Sequence, residues 1–157
     1  MRAMRKVVFV LITLSGLVPW AAAQPAPQTP GPKDRCAVCG MFVEKYGNFL
    51  AQVALEDGST AYFDGVKDMM RYHLDPAKFG AAKKEVRAVF VKDYYSLSTI
   101  DGREAYYVIG SDVMGPMGNE LIPFRTREAA EEFRKDHKGN RVLRFDEIDA
   151  GVLDELT

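Results

Sequence analysis

The sequence predicts an α+β protein made of two similar small half-domains, each a mostly antiparallel sheet with one helix. Three observations lead there. Short β-branched or alternating runs are separated by turn signals. Two amphipathic helical segments each follow such a run directly. The strand-and-helix unit also recurs in the second half at a constant offset, which aligns Phe63, Met69 and Tyr72 with Phe124, Ala130 and Phe133. Such a match arises by duplication, or from any strand followed by an amphipathic helix.

The chain opens with the basic "MRAMRK", the apolar run Val7 to Val18 and the small residues Ala21-Ala22-Ala23. This is the pattern of a secretory signal peptide over residues 1–23, its apolar middle too short to span a bilayer comfortably. Cleavage after Ala23 removes Arg2, Arg5 and Lys6 and leaves a mature chain from Gln24 to Thr157, in which acidic side chains outnumber basic ones. A chain of that length suits one domain or two half-domains sharing a core. Its negative charge argues against nucleic acid as a partner. Residues 24–35 carry Pro25, Pro27, Pro30 and Pro32 and read as an extended tether.

The first half-domain is expected over residues 36–84. "NFLAQVAL", "EDGS" and "TAYF" form a strand, a turn and a second strand; "DGVKDMMRYH" is a helix capped by Asp64, with Pro76 beyond its end. The second is expected over residues 85–157. "EVRAVFV" and "EAYYVIG" are strands rich in β-branched and aromatic residues, and "SDVMGPMGNE" is a loop broken by Gly115, Pro116 and Gly118. Then follow the strand "LIPF", the helix "TREAAEEFRKDH" capped by Thr126 and closed by Gly139, the strand "RVLRF" and a short terminal helix in "DEIDAGVLDEL".

Chemistry concentrates on sulfur. The only two cysteines, Cys36 and Cys39, stand three apart at the domain entrance, directly before Gly40 and Met41. A second sulfur segment carries Met114 and Met117, also three apart, and each half is expected to hold one such segment before its strand and helix. A Cys36–Cys39 disulfide would close too small a loop to stabilise the fold much. A structural zinc site needs four ligands, and the chain has no second cysteine pair; His73 and His137 lie far apart in the sequence, one in each half. A thioredoxin-type motif needs a βαβ setting that the proline-rich approach does not provide.

Copper(I) is the soft ion that thiolates and thioethers select, and a thioether neither titrates nor forms disulfides. Cys39, Met41 and a methionine of the second segment would make a low-coordinate site open to transfer. Met69 and Met70, inside a helix, read as core filler. Tyr94, Tyr95, Tyr106 and Tyr107 read as strand tyrosines, and "AAEEFRKD" as a solvated helix face. No nucleophile-and-base signature, paired carboxylates or phosphate-binding glycine loop is present, so no enzyme is expected.

Together "CAVCGM", "AYFDGVKDMM", "GSDVMGPMGNELIPF" and "VLRFDEI" resemble the NosL family, accessory proteins of nitrous oxide reductase maturation. The likeness runs from about Cys36 to Ile148. It implies a periplasmic Cu(I) chaperone of two similar half-domains that supplies the reductase's copper centres. Its implied partners are the apo-reductase and a membrane transporter complex of the same maturation, with a homodimer left open. The implied ligands are Cys39, Met41 and Met117, with Cys36 and Met114 as helpers. Family members are often lipoproteins, but here Gln24 follows Ala23 and no cysteine comes before Cys36, so a soluble periplasmic protein, or one held by an uncleaved signal, is expected. Two other readings stand beside this one: a thiol-disulfide oxidoreductase using Cys36 and Cys39, and a metal-independent assembly factor.

Overall fold

Strands and helices take similar shares of the computed structural model, which describes residues 24–81 and 85–157. The expected signal peptide over residues 1–23 lies outside the described residues. The first sheet contains β1 (Ala51–Leu55), β2 (Thr60–Phe63), β3 (Val86–Lys92) and β4 (Thr99–Asp101), in the order β2-β1-β3-β4. Helix α1 (Val66–Leu74) leaves the end of β2. The chain then forms β5 (Tyr106–Ile109), a small ribbon of β6 (Met114–Gly115) and β7 (Gly118–Asn119), β8 (Ile122–Phe124), helix α2 (Arg127–Asp136) and β9 (Arg141–Arg144). The second sheet has the order β8-β5-β9, and all pairings within the two sheets and the ribbon are antiparallel. The short helix α3 (Ala150–Asp154) comes last.

Both halves therefore follow one course. In β1-β2-α1-β3 and in β5-β8-α2-β9, the first strand lies in the middle and the helix links the two strands that flank it. Phe63 faces Ala51 across its ladder and Phe124 faces Tyr106 across the equivalent one. Phe63, Met69 and Tyr72 are buried, as are Phe124, Ala130 and Phe133, so the constant offset in the sequence reflects a repeated topology with a repeated core face.

The sheets correct one expectation and set the two sulfur segments apart. A divide at residue 84 assigns β3 to the second half, yet β3 pairs with β1 and β4 pairs with β3, so the change of sheet falls between β4 and β5. Non-local pairing decides this, and strand composition carries no record of it. The two sulfur segments are also not equivalent. The cysteines precede β1, whereas Met114 and Met117 lie between β5 and β8, where the first half has only the turn from β1 to β2. The expected loop there closes as the β6–β7 ribbon, with Pro116 and Met117 at its tip.

The proline-rich tether has no regular structure over its described residues up to Pro30, but Gln28 fastens that stretch to β1. The side chain of Gln52 receives the Gln28 N–H at 2.9 Å and donates to the Gln28 carbonyl at 2.8 Å. Strand β5 joins the two halves by alternation. Tyr107 and Ile109 enter the large core shared with β1, β3 and α1, while Val108 enters a smaller core with Phe124 and Phe133 beneath α2. Thr126 caps α2 as expected, its side chain accepting the Ala129 N–H at 3.2 Å.

Phe133 anchors that smaller core. It is fully buried, with ring centroids at 4.9 Å from Phe124, 4.8 Å from Tyr94 and 4.3 Å from His137. Phe133→Ala is expected to lower unfolding free energy by about 3–5 kcal/mol in a denaturant titration, through lost burial and an uncollapsed cavity. A loss under about 1 kcal/mol would show that α2 repacks freely.

Candidate metal centre

Residues 36–41 turn back on themselves in a tight knuckle. The Cys36 N–H donates to the Met41 carbonyl at 2.8 Å, and the Gly40 N–H donates to the Cys36 carbonyl at 3.0 Å. Gly40 makes the turn with a φ of +78°, a conformation in which a side chain is strained. The knuckle docks on β2 through a bridge from Cys36 to Tyr62 and a 3.0 Å hydrogen bond from the Ala37 N–H to the Tyr62 carbonyl. Just beyond Tyr62 the chain reaches Asp64 and, within the first turn of α1, Asp68.

Cys36, Cys39, Asp64 and Asp68 thus converge, with one ligand atom from each lying within 4.8 Å of the others. Both thiols are free. Cys36 is buried and its Sγ–H donates to Asp68 Oδ2 at 3.4 Å; Cys39 is half-buried and donates to Asp64 Oδ1 at 3.4 Å. Burial is the main cause that pushes both thiols above the ordinary thiol range, for Cys36 by a large margin, with nearby carboxylates adding to it. The thiols therefore hold their protons at neutral pH. Asp68 also receives Arg71 at 3.0 Å, but the second oxygen of Asp64 is buried with no hydrogen-bond partner among the described residues. An orphaned carboxylate oxygen beside two thiols is a donor set that fits a cation.

Sequence patterning assigns Asp64 to the helix as its cap. In the structure the N-cap position falls on Gly65, and no side chain from that position caps the helix. Asp64 faces Cys39 instead, and the Lys67 N–H of the first turn is satisfied by Glu120 Oε1, far along the chain, at 2.6 Å. That reassignment is why the two aspartates escape the sequence reading. The available signal was two aspartates four residues apart at a helix start, although Asp64 itself lies just before the N-cap.

The methionines are placed as follows. Met41 closes the knuckle with its backbone, and its sulfur accepts a long contact from the Tyr46 hydroxyl at 3.8 Å. Met114 and Met117 are exposed on the ribbon, and the Met117 carbonyl accepts a hydrogen bond from Lys67 Nζ at 2.8 Å. The knuckle and the ribbon thus both meet the first turn of α1. Met69 and Met70 are buried in the core. The histidines stand apart from the cluster: His73 packs on Phe145 at 5.0 Å, and His137 shares a 3.0 Å contact with Asp112.

A family profile for NosL matches residues 27–153. The chain belongs to the NosL family. It is 35% identical over 127 residues to the copper-binding lipoprotein NosL of Stutzerimonas stutzeri, a match covering 78% of this chain and 65% of that relative. The chain thus spans under two thirds of that relative's length. The crystal structure of the copper chaperone NosL from Shewanella denitrificans has the same fold, with a TM-score of 0.70 at 24% identity over 83% of this chain and 99% of that one. The solution structure of apo-NosL from Achromobacter cycloclastes is 26% identical, with a TM-score of 0.49 over 66% of this chain and 87% of that one. The α+β architecture inferred from strand and helix patterning is therefore the NosL fold.

Proposed function

We propose that this protein is an exported, periplasmic copper(I) chaperone that carries the ion on the Cys36–Cys39 knuckle. The observation that carries the reading is the cluster itself. Two free thiols, one buried and one reachable, sit on a tight turn beside an unpaired carboxylate oxygen, in a family whose relatives are named for copper. Thiolate donors favour the +1 ion. Binding without turnover suits a site whose thiols and carboxylates converge as donors for a cargo ion.

Delivery follows as a further part of the proposal. The acceptor is the apo form of nitrous oxide reductase, reached directly or through a membrane transporter complex of its maturation. This rests on the family resemblance. A thiol-disulfide oxidoreductase is disfavoured because both thiol pKa values are raised, where reactive cysteines have theirs lowered.

A competition titration of copper(I) against a chromogenic chelator, on reduced protein, tests the reading. Tight binding near one equivalent is expected, weakened in Met41→Leu and in Met117→Leu. Absence of binding in the unaltered protein would end the chaperone reading, and thiol exchange with intact kinetics in both variants would favour the oxidoreductase.

A further inference from the structure

Lys67 and Glu120 are buried, ionisable and unused by the thiol cluster, and together they fasten the methionine ribbon to the helix that carries Asp68. Two connections run between the same pair of segments, both donated by Lys67. The Lys67 backbone N–H donates to Glu120 Oε1 at 2.6 Å, and the Lys67 ammonium donates to the Met117 carbonyl at 2.8 Å. Glu120 Oε1 also receives the Leu121 N–H at 2.9 Å. The ammonium reaches the Leu156 carbonyl as well, at 3.3 Å, so one side chain ties together the helix start, the ribbon tip and the chain end. The absence of side chains at Gly65 and Gly115 makes room for this, since a β-carbon at either would collide with Glu120.

We infer that Lys67 and Glu120 are positioning residues that hold Met117 in register with the knuckle, so that a thioether at an exposed ribbon tip acts as a defined ligand. Several features support this role. So short a ribbon has little intrinsic order. The Met117 side chain, at 45% exposure, would otherwise sample many rotamers, and ordering it upon metal binding would cost affinity. Fixing the Met117 carbonyl removes the backbone part of the ordering cost in advance, since it holds the main chain from which the thioether projects. Giving the capping of α1 to Glu120 also leaves Asp64 free to face Cys39. One arrangement therefore orients both halves of the donor set. A buried lysine ammonium is expensive to desolvate, and packing alone would be met by an apolar residue.

This inference rests on the proposal that Met117 is a copper(I) ligand, and the test separates the two. Copper(I) affinity is measured by chelator competition on reduced full chain for Lys67→Leu, Met117→Leu and the double variant, beside Glu120→Leu and Glu120→Gln. The copper sulfur count is read by X-ray absorption. Leucine is used because it adds no sulfur. Lys67→Leu and Glu120→Leu are expected to weaken binding about 10–100-fold, the effect of removing a partner that orients a metal ligand. Lys67→Leu should also lower the sulfur count by one. The double variant should be no weaker than Met117→Leu alone, because the brace acts only through that ligand. Glu120→Gln keeps the accepting oxygen and should stay near the unaltered protein.

Additive losses in the double variant, or an unchanged sulfur count in Lys67→Leu, would overturn the brace while leaving Met117 a ligand. If Met117→Leu itself matches the unaltered protein, the ligand assignment falls and takes the brace with it. Melting curves of the copper-free variants identify unfolded protein. Should Lys67→Leu prove unfolded, the contrast between Glu120→Leu and Glu120→Gln decides: equal affinities overturn the brace.

Discussion

Replacing Cys36 and Cys39 together by serine is expected to abolish tight copper(I) binding while leaving the fold in place. Tightly held soft-ligand sites bind with about 10–16 kcal/mol, so roughly 3 kcal/mol is lost per donor and two lost thiolates weaken affinity on the order of 10⁴-fold. A hydroxyl does not replace them, because it is a hard donor that stays protonated. The knuckle should survive, since it is closed by backbone bonds from Cys36 to Met41 and from Gly40 to Cys36. Chelator competition reads the binding and a melting curve reads the fold. A double variant that keeps its copper but melts at lower temperature would show that the cysteines only rivet the domain entrance, and the metal-independent assembly reading would then hold.

Copper(I) affinity is expected to climb steeply with pH. Burial holds both thiols above their ordinary pKa, so around neutral pH the metal-free protein carries a proton on Cys36 and on Cys39. Metal binds thiolate, so each ligating sulfur releases one proton, and one proton released means tenfold in affinity per pH unit, about 1.4 kcal/mol. With both sulfurs bound the rise is about a hundredfold per unit, and binding weakens by that factor as pH falls. Met117→Leu should lower the whole line without changing its slope, because a thioether does not titrate. Titrations at several pH values on either side of neutral, corrected for the chelator's own protons, would measure it. A flat line would mean the thiols are already ionised in the metal-free protein, against the burial seen at Cys36.

The sulfur logic was legible early because it depends on residue type and short spacing. Cys36, Cys39, Gly40 and Met41 lie close together in sequence, and the hydrogen bonds that close the knuckle are local. The positive φ of Gly40 is the backbone counterpart of that reading. The repeated strand and helix was also visible, since hydrophobic periodicity records which face of each element is buried. Phe63, Tyr72, Phe124 and Phe133 are buried on the faces that pattern assigns them.

The carboxylate half of the site was not legible. At the start of a helix an aspartate reads as a cap, and only the arrival of Glu120 from the distant ribbon shows that Asp64 is released from that duty. The boundary between the halves was hidden for the same kind of reason, because β3 joins the first sheet through hydrogen bonds to β1 that its own composition does not encode. The sequence alone determined the pairing of Cys36 with Cys39, the local turn that presents them and the α+β pattern, all set by short-range chemistry. Tertiary structure decided which carboxylates face the thiols and what fastens the methionine ribbon to α1, because those contacts join segments far apart in the chain, and only packing brings them together.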